Sequence, residues 1–281
     1  MSVRIIVDST VDMAPGLEKK VGIVPLTIHF GEKEYISGVD IDAQRFYEML
    51  VESDTLPTTS QPTPFAFEQV FGEAVDAGDS VVCITIASKL SGTYQSAVIA
   101  AQAYPGKVFV VDSKSATIGT GVLAQYALEL VDRGMNAEEI ALNLLGRREK
   151  VRILAMVDTL EYLKKGGRIS ATVAFAGGLL NIKPVITVED GEVKMLGKAR
   201  GSKQANNLLV QEIGKAGGID FTMPILLGYS GLSDALLKKY IADSAPLWEN
   251  GLDSLRYTSI GSVVGTHAGP GAIAAAFFRK P

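Results

Sequence analysis

Residues 81–97 read VVCITIASKLSGTYQSA. The first six, Val81 to Ile86, form an apolar and β-branched run of the kind a strand carries when both faces of its sheet are covered. A helical pattern then runs from Tyr94 to Tyr104, and between the two stands a polar turn, Ser88, Lys89, Leu90, Ser91, Gly92, Thr93. A strand leading through a hydroxyl-rich turn into a helix is the repeating unit of an α/β fold, and the chain on either side repeats it. Ile5 to Val7 and Val108 to Val111 read as further strands, with helices at Ala43 to Glu52, Phe65 to Ala77, Gly119 to Arg133 and Ala137 to Lys150. The alternation predicts a parallel sheet covered by helices.

Beyond Ile153 to Val157 the pattern changes. Pro184 to Glu189 and Glu192 to Leu196 are strands joined by Asp190 and Gly191, a two-residue hairpin signal, so antiparallel pairing is expected here. Further strands are expected at Ile225 to Tyr229, Leu255 to Ile260 and Ala272 to Phe278, with helices at Lys203 to Lys215 and Ser233 to Ser244. The predicted fold class is therefore α/β: an N-terminal domain, 1–150, with a parallel sheet covered by helices, and a C-terminal α+β domain, 151–281, with a largely antiparallel sheet. The stretch Ser53 to Pro64 holds three prolines around Thr58, Thr59, Ser60, Gln61 and reads as a stiff, placed functional loop.

Composition narrows the function. The formal net charge is −4 with no long basic run, which sets nucleic-acid binding aside. A single cysteine, Cys83, excludes a disulfide within the chain, and with two histidines any metal ligands would have to be carboxylates. Hydrophobic residues make up 47% and the mean hydropathy is +0.22, which leaves room for an apolar cavity beside the core. The opening Met1 to Asp8 carries no long apolar leader, and Gly261 to Phe278, the most apolar candidate span, is broken by Thr266, His267 and Pro270. A soluble, cytoplasmic protein without a transmembrane segment is expected.

In a doubly wound sheet ligands bind beyond the carboxyl ends of the strands. There stand Asp8, Ser9, Thr10, then Ser91, Gly92, Thr93, then Asp112, Ser113, Lys114, Ser115: hydroxyls at every position. Ser91 to Thr93 precede a helix, where free amides and a hydroxyl can hold a small anion; the alternative is that Ser91 or Thr93 is simply an N-cap. Gly119, Gly121 and Ala124 match G-x-G-x-x-A but begin too far past the strand for a dinucleotide site, and no P-loop occurs. No serine lies in G-x-S-x-G, so a hydrolase triad has no local signature. His29 reads as a strand residue. His267 stands in a turn among Gly265, Gly269 and Gly271, where glycines let the backbone approach a ligand. Arg168 and Arg200 sit at turns, either solvated or placed to recognise a phosphate or an acidic partner surface.

Taken together, the blocks Asp8-Ser9-Thr10 with Asp12, Thr59-Ser60-Gln61-Pro62, LSGTYQSA at 90–97, Asp112-Ser113, LEYLKKGGRI at 160–169, Lys183-Pro184 and HAGPG at 267–271 resemble the motifs of the DegV family. The resemblance spans residues 8 to 271 and implies two α/β domains with a fatty acid at their interface. It implies a carboxylate held by Thr59, Ser60, Ser91, Gly92, Thr93 and His267, and a tail sunk into the second domain. Members of the FakB type resemble the substrate-presenting subunits of bacterial fatty acid kinase. By that likeness the ligand is a long-chain fatty acid, the chain has no cofactor of its own, and ATP belongs to the catalytic subunit of a partner kinase that makes acyl-phosphate. An acyl-phosphate acyltransferase would follow downstream. Arg168 and Arg200 are the residues expected to meet the kinase or its phosphate. Ser37, Thr117 and Ala275 depart from the residues common in the family, outside the expected carboxylate set.

The energetics agree with the implied ligand. A tail of about fifteen methylenes at about 0.8 kcal/mol each brings on the order of 12 kcal/mol before ordering costs, and several donors offset desolvation of the carboxylate. The small-residue stretch ATVAFAGGLL, Ala171 to Leu180, is either channel lining or core packing. Two function classes remain open on the residues alone: a binding and presenting protein, or an autonomous enzyme acting as an acyl hydrolase or nucleotide-dependent transferase.

Overall fold

The computed structural model describes residues 2–170, 181–249, 251 and 255–281; the stretch at 171–180 lies outside them. The first half is built on a four-stranded sheet of β1 (Val3–Asp8), β2 (Gly22–Val24), β6 (Ser80–Thr85) and β7 (Val108–Asp112), in the order β2-β1-β6-β7. Every pairing in it is parallel, as the alternation predicts. Alternate residues of β1 feed different cores. Ile6 joins Cys83 and the aromatic pair Phe67 and Phe71 from α2 (Pro64–Asp76), with Ala97 from α3 (Thr93–Ala101). Ile5 and Val7 face α4 (Thr117–Asp132) and α5 (Ala137–Arg147) on the other side. The expected helix to Lys150 ends at Arg147 and continues as one 3-10 turn.

The second half is a six-stranded sheet ordered β10-β9-β8-β13-β11-β12: β8 (Val151–Met156), β9 (Ile182–Glu189), β10 (Glu192–Arg200), β11 (Ile225–Tyr229), β12 (Tyr257–Ser259) and β13 (Ile273–Phe278). All its pairings are antiparallel except β11 with β12. The hairpin between β9 and β10 turns on Asp190 and Gly191, both at positive φ (52° and 78°), the backbone a two-residue turn of this kind needs. Outside this sheet pack α7 (Gly201–Lys215), α8 (Ala235–Asp243) and α9 (Ala245–Trp248), with Trp248 and Tyr240 buried in edge-to-face contact.

Helix α4 lies between the two sheets and is buried along most of its length. Its glycines serve that packing. A methyl group on Gly121 would stand 2.0 Å from the Asp12 carbonyl oxygen, and one on Gly119 would meet the Ser115 hydroxyl and Ile153. Close approach, with no phosphate involved, accounts for the G-x-G pattern.

Two local expectations are corrected. The stretch read as a loop between Ser53 and Pro64 contains β5 (Thr58–Ser60), the edge of a small antiparallel sheet with β3 (Thr27–Phe30) and β4 (Lys33–Ile36), in the order β4-β3-β5. Pro57 and Pro62 stand outside the three paired residues, so neither removes a donor from the ladder. The turn expected around His267 is instead the last turn of a short helix, α10 (Ser262–Ala268), which stops at Gly269 with φ 71°. Gly265 is a packing residue within it: a Cβ there would come within 2.6 Å of the Tyr47 hydroxyl and 2.8 Å of Phe46, both on α1 (Ala43–Glu52).

Candidate functional site

Between the two sheets lies a cavity with about 890 Å³ free of protein atoms, open solvent at its mouth included. Most of its wall is aliphatic. Ile153 and Ala155 lie along one face of β8, Val157 follows just past its end, and Ile186 and Val188 come from β9. Val263 and Val264 of α10 face them. Among the described residues the polar groups in the wall are Thr10, Thr59, Ser91, Thr117, Thr187, Arg168 and His267, and no carboxylate lines it.

The polar groups near His267 come from distant parts of the chain. Nε2 of His267 is 3.0 Å from the Thr59 hydroxyl, while Nδ1 is buried without a hydrogen-bond partner. Nδ1 lies against the turn after α6 (Glu161–Lys165): a Cβ on Gly166 would stand 2.2 Å from it, so only glycine allows the turn to lie beneath the imidazole. Gly167 follows at φ 72° and turns the chain back, and the Arg168 side chain then donates to the Leu90 and Gly166 carbonyls. Those bonds hold a guanidinium beside the ring with further N–H donors to spare. Burial, aided by the charge of Arg168, holds His267 down to a pKa of about 4, so the ring is neutral at pH 7.

Ser91 reaches the same wall from the turn after β6. Its hydroxyl is 2.8 Å from that of Thr93, which is fully buried, and Gly92 takes the N-cap position of α3 with no side-chain bond of its own. Gly92 is again a contact point, since a Cβ would fall 2.1 Å from Gln61 Oε1; Gln61 itself donates to Ser96. The Thr-Ser-Gln-Pro segment thus leans directly on the Ser-Gly-Thr turn.

The cavity therefore gathers Thr59, Ser91, Arg168 and His267. Thr93 and Gly92 shape the Ser91 turn from behind and do not line the cavity. Ser60, expected on the carboxylate, is not brought in, and Arg200, expected at the kinase, stands apart. Ser60 follows Thr59 on a strand, so its side chain takes the opposite face, where its hydroxyl is 2.8 Å from His29 Nε2 on the exposed side. Arg200, at the end of β10, is exposed and away from the cavity wall.

A second layer was quoted in the sequence blocks without a role. Asp8, buried, accepts from the Thr10 amide and hydroxyl and from the Ile86 amide; burial raises its pKa against those bonds. Asp12 accepts from the Thr117 hydroxyl at 2.5 Å and from the Gly261 amide at 2.8 Å. Its carboxyl is enclosed although the residue as a whole is half-buried, and its pKa is pushed up to about 7. Gly261 is the N-cap of α10, so Asp12 ties the helix carrying His267 to α4, whose Thr117 and Ala116 line the cavity. Thr117 adopts a left-handed φ of 47°, which its bond to Asp12 helps to hold. A sequence signal existed: acidic residues immediately after an apolar first strand.

Chemically, the arrangement offers neutral and cationic N–H and O–H donors at one part of an otherwise apolar cavity. That suits an amphiphilic anion. A triad base would need an orienting carboxylate beside the histidine, and among the described residues none lines the cavity. Among the described residues no group of three or more His, Cys, Asp or Glu is placed to hold a metal ion, and no helix is long and apolar enough to cross a membrane.

The family model described as uncharacterised protein, DegV family COG1307, matches residues 2–280. A DegV domain-containing protein of Caldanaerobacter subterraneus subsp. tengcongensis is 37% identical over 99% of both chains. A fatty-acid-binding DegV family protein from Thermus thermophilus superimposes with a TM-score of 0.85 at 33% identity, covering 99% of this chain and 100% of the other. A stearic acid-binding protein from Eubacterium ventriosum does so with a TM-score of 0.84 at 31% identity, covering 100% and 99%.

Proposed function

The chain belongs to the DegV family, and from that premise we propose that it binds a long-chain fatty acid and presents the carboxylate to a separate ATP-dependent kinase for conversion to acyl-phosphate. The observation that carries the reading is the asymmetry of the cavity: Thr59, Ser91, Arg168 and His267 converge on a wall that is mostly aliphatic. The carboxylate takes its hydrogen bonds from the two hydroxyls, the neutral imidazole and the guanidinium. The tail lies along Val157, Ala155 and Ile153 toward the hairpin strands. Relatives with the same fold bind such ligands, stearic acid in one case.

Presentation, as opposed to catalysis, follows from what the site offers. Among the described residues the cavity wall offers donors to an acid and no carboxylate to orient a base, and on that ground the proposal assigns ATP and its chemistry to the partner. A kinase of that kind works where ATP is, which places the protein in the cytoplasm. Arg168 has two tasks in this reading, since it lines the cavity beside His267 and also borders the turn expected to meet the kinase. Exposed Arg200 is left for docking alone. The test is acyl-phosphate formation from oleic acid and ATP, trapped with hydroxylamine, with and without a fatty acid kinase catalytic subunit. Product is expected only with the kinase, and Arg200→Ala is expected to slow it without loss of bound acid. Product formed by the isolated protein would refute presentation.

A further inference from the structure

A second cavity, with about 1070 Å³ free of protein atoms including open solvent, borders β8, β9, α7 and the segment after β13. Thr187 and Val188 contribute to both cavities, but the chemistry of this one is opposite. Three arginines enter it: Arg148 from the 3-10 turn, Arg152 from β8 and Arg279 just beyond β13. Phe277 lies directly across from Arg152 in the sheet, which brings Arg279 to the same end.

The carboxylates around the cavity already have partners. Lys114 pairs with Glu149 at 2.6 Å, Lys194 with Glu189 at 2.7 Å and with Asp190 at 4.0 Å, and Lys215 with Glu212 at 2.7 Å. Arg148 has only a loose contact, its Nε 3.8 Å from the shared Glu149. Among the described residues Arg152 and Arg279 have no carboxylate within 4 Å. Arg148 donates one Nη1 bond to the Asp112 carbonyl, and Arg152 donates to the carbonyls of Glu149 and Val151. The Nε atoms of Arg148 and Arg279 are buried without any hydrogen-bond partner. Buried polar atoms left unpaired are uncommon and call for a water, an ion or a ligand. Burial, and then the charge of Arg279, lowers the pKa of Arg152, a sign that the two guanidiniums stand close enough to repel.

We propose that this cavity is a binding site for a phosphate dianion, free or as a phosphate monoester, held by Arg148, Arg152 and Arg279. Arginine forks match tetrahedral oxyanions through paired N–H donors, and a dianion offsets two adjacent cations where a single carboxylate offsets one. The three arginines take no part in the acyl cavity, and the site does not rest on the proposed function.

Calorimetric titration of the whole protein with inorganic phosphate, at constant ionic strength set with chloride, tests it. Saturable binding at one site is expected, weakened about tenfold or more in Arg152→Gln and in Arg279→Gln, as loss of a charge-assisted bond implies. Should either variant fold poorly, Glu149→Gln at an exposed position gives the opposite readout: removing the competing carboxylate should tighten phosphate about threefold. Bound fatty acid should be unchanged in all three. A parallel arm with vesicles of phosphatidylcholine alone or with phosphatidic acid separates a lipid headgroup from soluble phosphate; binding only to the phosphatidic acid vesicles, lost in Arg152→Gln, assigns the same site to a membrane source. Absence of saturable binding in both arms, or binding that none of the variants changes, would overturn the proposal.

Discussion

His267 is held neutral by burial beside Arg168, its Nδ1 packed under the Gly166 turn and its Nε2 3.0 Å from the Thr59 hydroxyl, so Nε2 is the ring atom left to face an anion that arrives from outside the protein. Removing it should weaken retention of the acid by roughly tenfold to a hundredfold, the loss of about 1.5–3 kcal/mol for a hydrogen bond to a charged group. Ser91→Ala should act in the same direction, and competition with a fluorescent fatty acid would measure both. Ser60→Ala, on the opposite face of β5, should leave affinity unchanged; an effect equal to that of His267→Ala would mean that the face assignment is wrong. The two shifted groups near α10 oppose each other in acid. His267 titrates near 4 in the fold against 6.5 when free, so between those values the unfolded chain takes up a proton that the native state refuses, and acidification costs stability. Asp12 is raised to about 7 from 3.8, so over the same range the native state takes up the proton first and acidification adds stability. Relative to the parent protein, His267→Asn should gain stability from pH 7 to pH 5 and Asp12→Asn should lose it, each by on the order of 1–2 kcal/mol in urea unfolding. Parallel pH profiles for all three proteins would contradict these assignments.

At the scale of elements, the short helix α10 carries the argument, because its position decides where the imidazole points. Gly265→Ala should cost about 1–3 kcal/mol through collision with Tyr47 and Phe46, and should weaken acid retention at the same time. Asn136→Ala breaks the capping box of α5, in which Asn136 and Glu139 bond reciprocally. It should cost about 1 kcal/mol and leave retention intact, separating general stability from the site. What sequence could read here depended on length and period. The strands at 81, 108 and 225, helix α1 and the Asp190-Gly191 turn were legible because apolar periodicity or a turn dipeptide marks them locally. Strand β5 was not: three residues between prolines show no period, and with it went the alternation that parts Thr59 from Ser60. Helix α10 read as a turn because Gly265, Gly269 and Gly271 looked like turn residues, when Gly265 is there to admit Tyr47.

Across the whole molecule, function depends on two sheets facing each other over α4, with the cavity where their walls meet. The cavity residues Thr59, Ser91, Arg168 and His267 come from distant parts of the chain that no local reading could bring together; the family resemblance grouped Thr59, Ser91 and His267 but set Arg168 apart for the kinase. Asp8 and Asp12, although present in the quoted blocks, gained a role only once Thr10, Thr117 and Gly261 were seen to converge on them. The central claim is that this cavity holds a fatty acid. Native mass spectrometry of the purified protein, followed by denaturation and identification of the released molecule, tests it most directly. The account predicts one long-chain fatty acid per chain, and marked loss of it in His267→Ala. A protein that is empty on purification and stays empty after exposure to a panel of saturated and unsaturated acids would contradict the account.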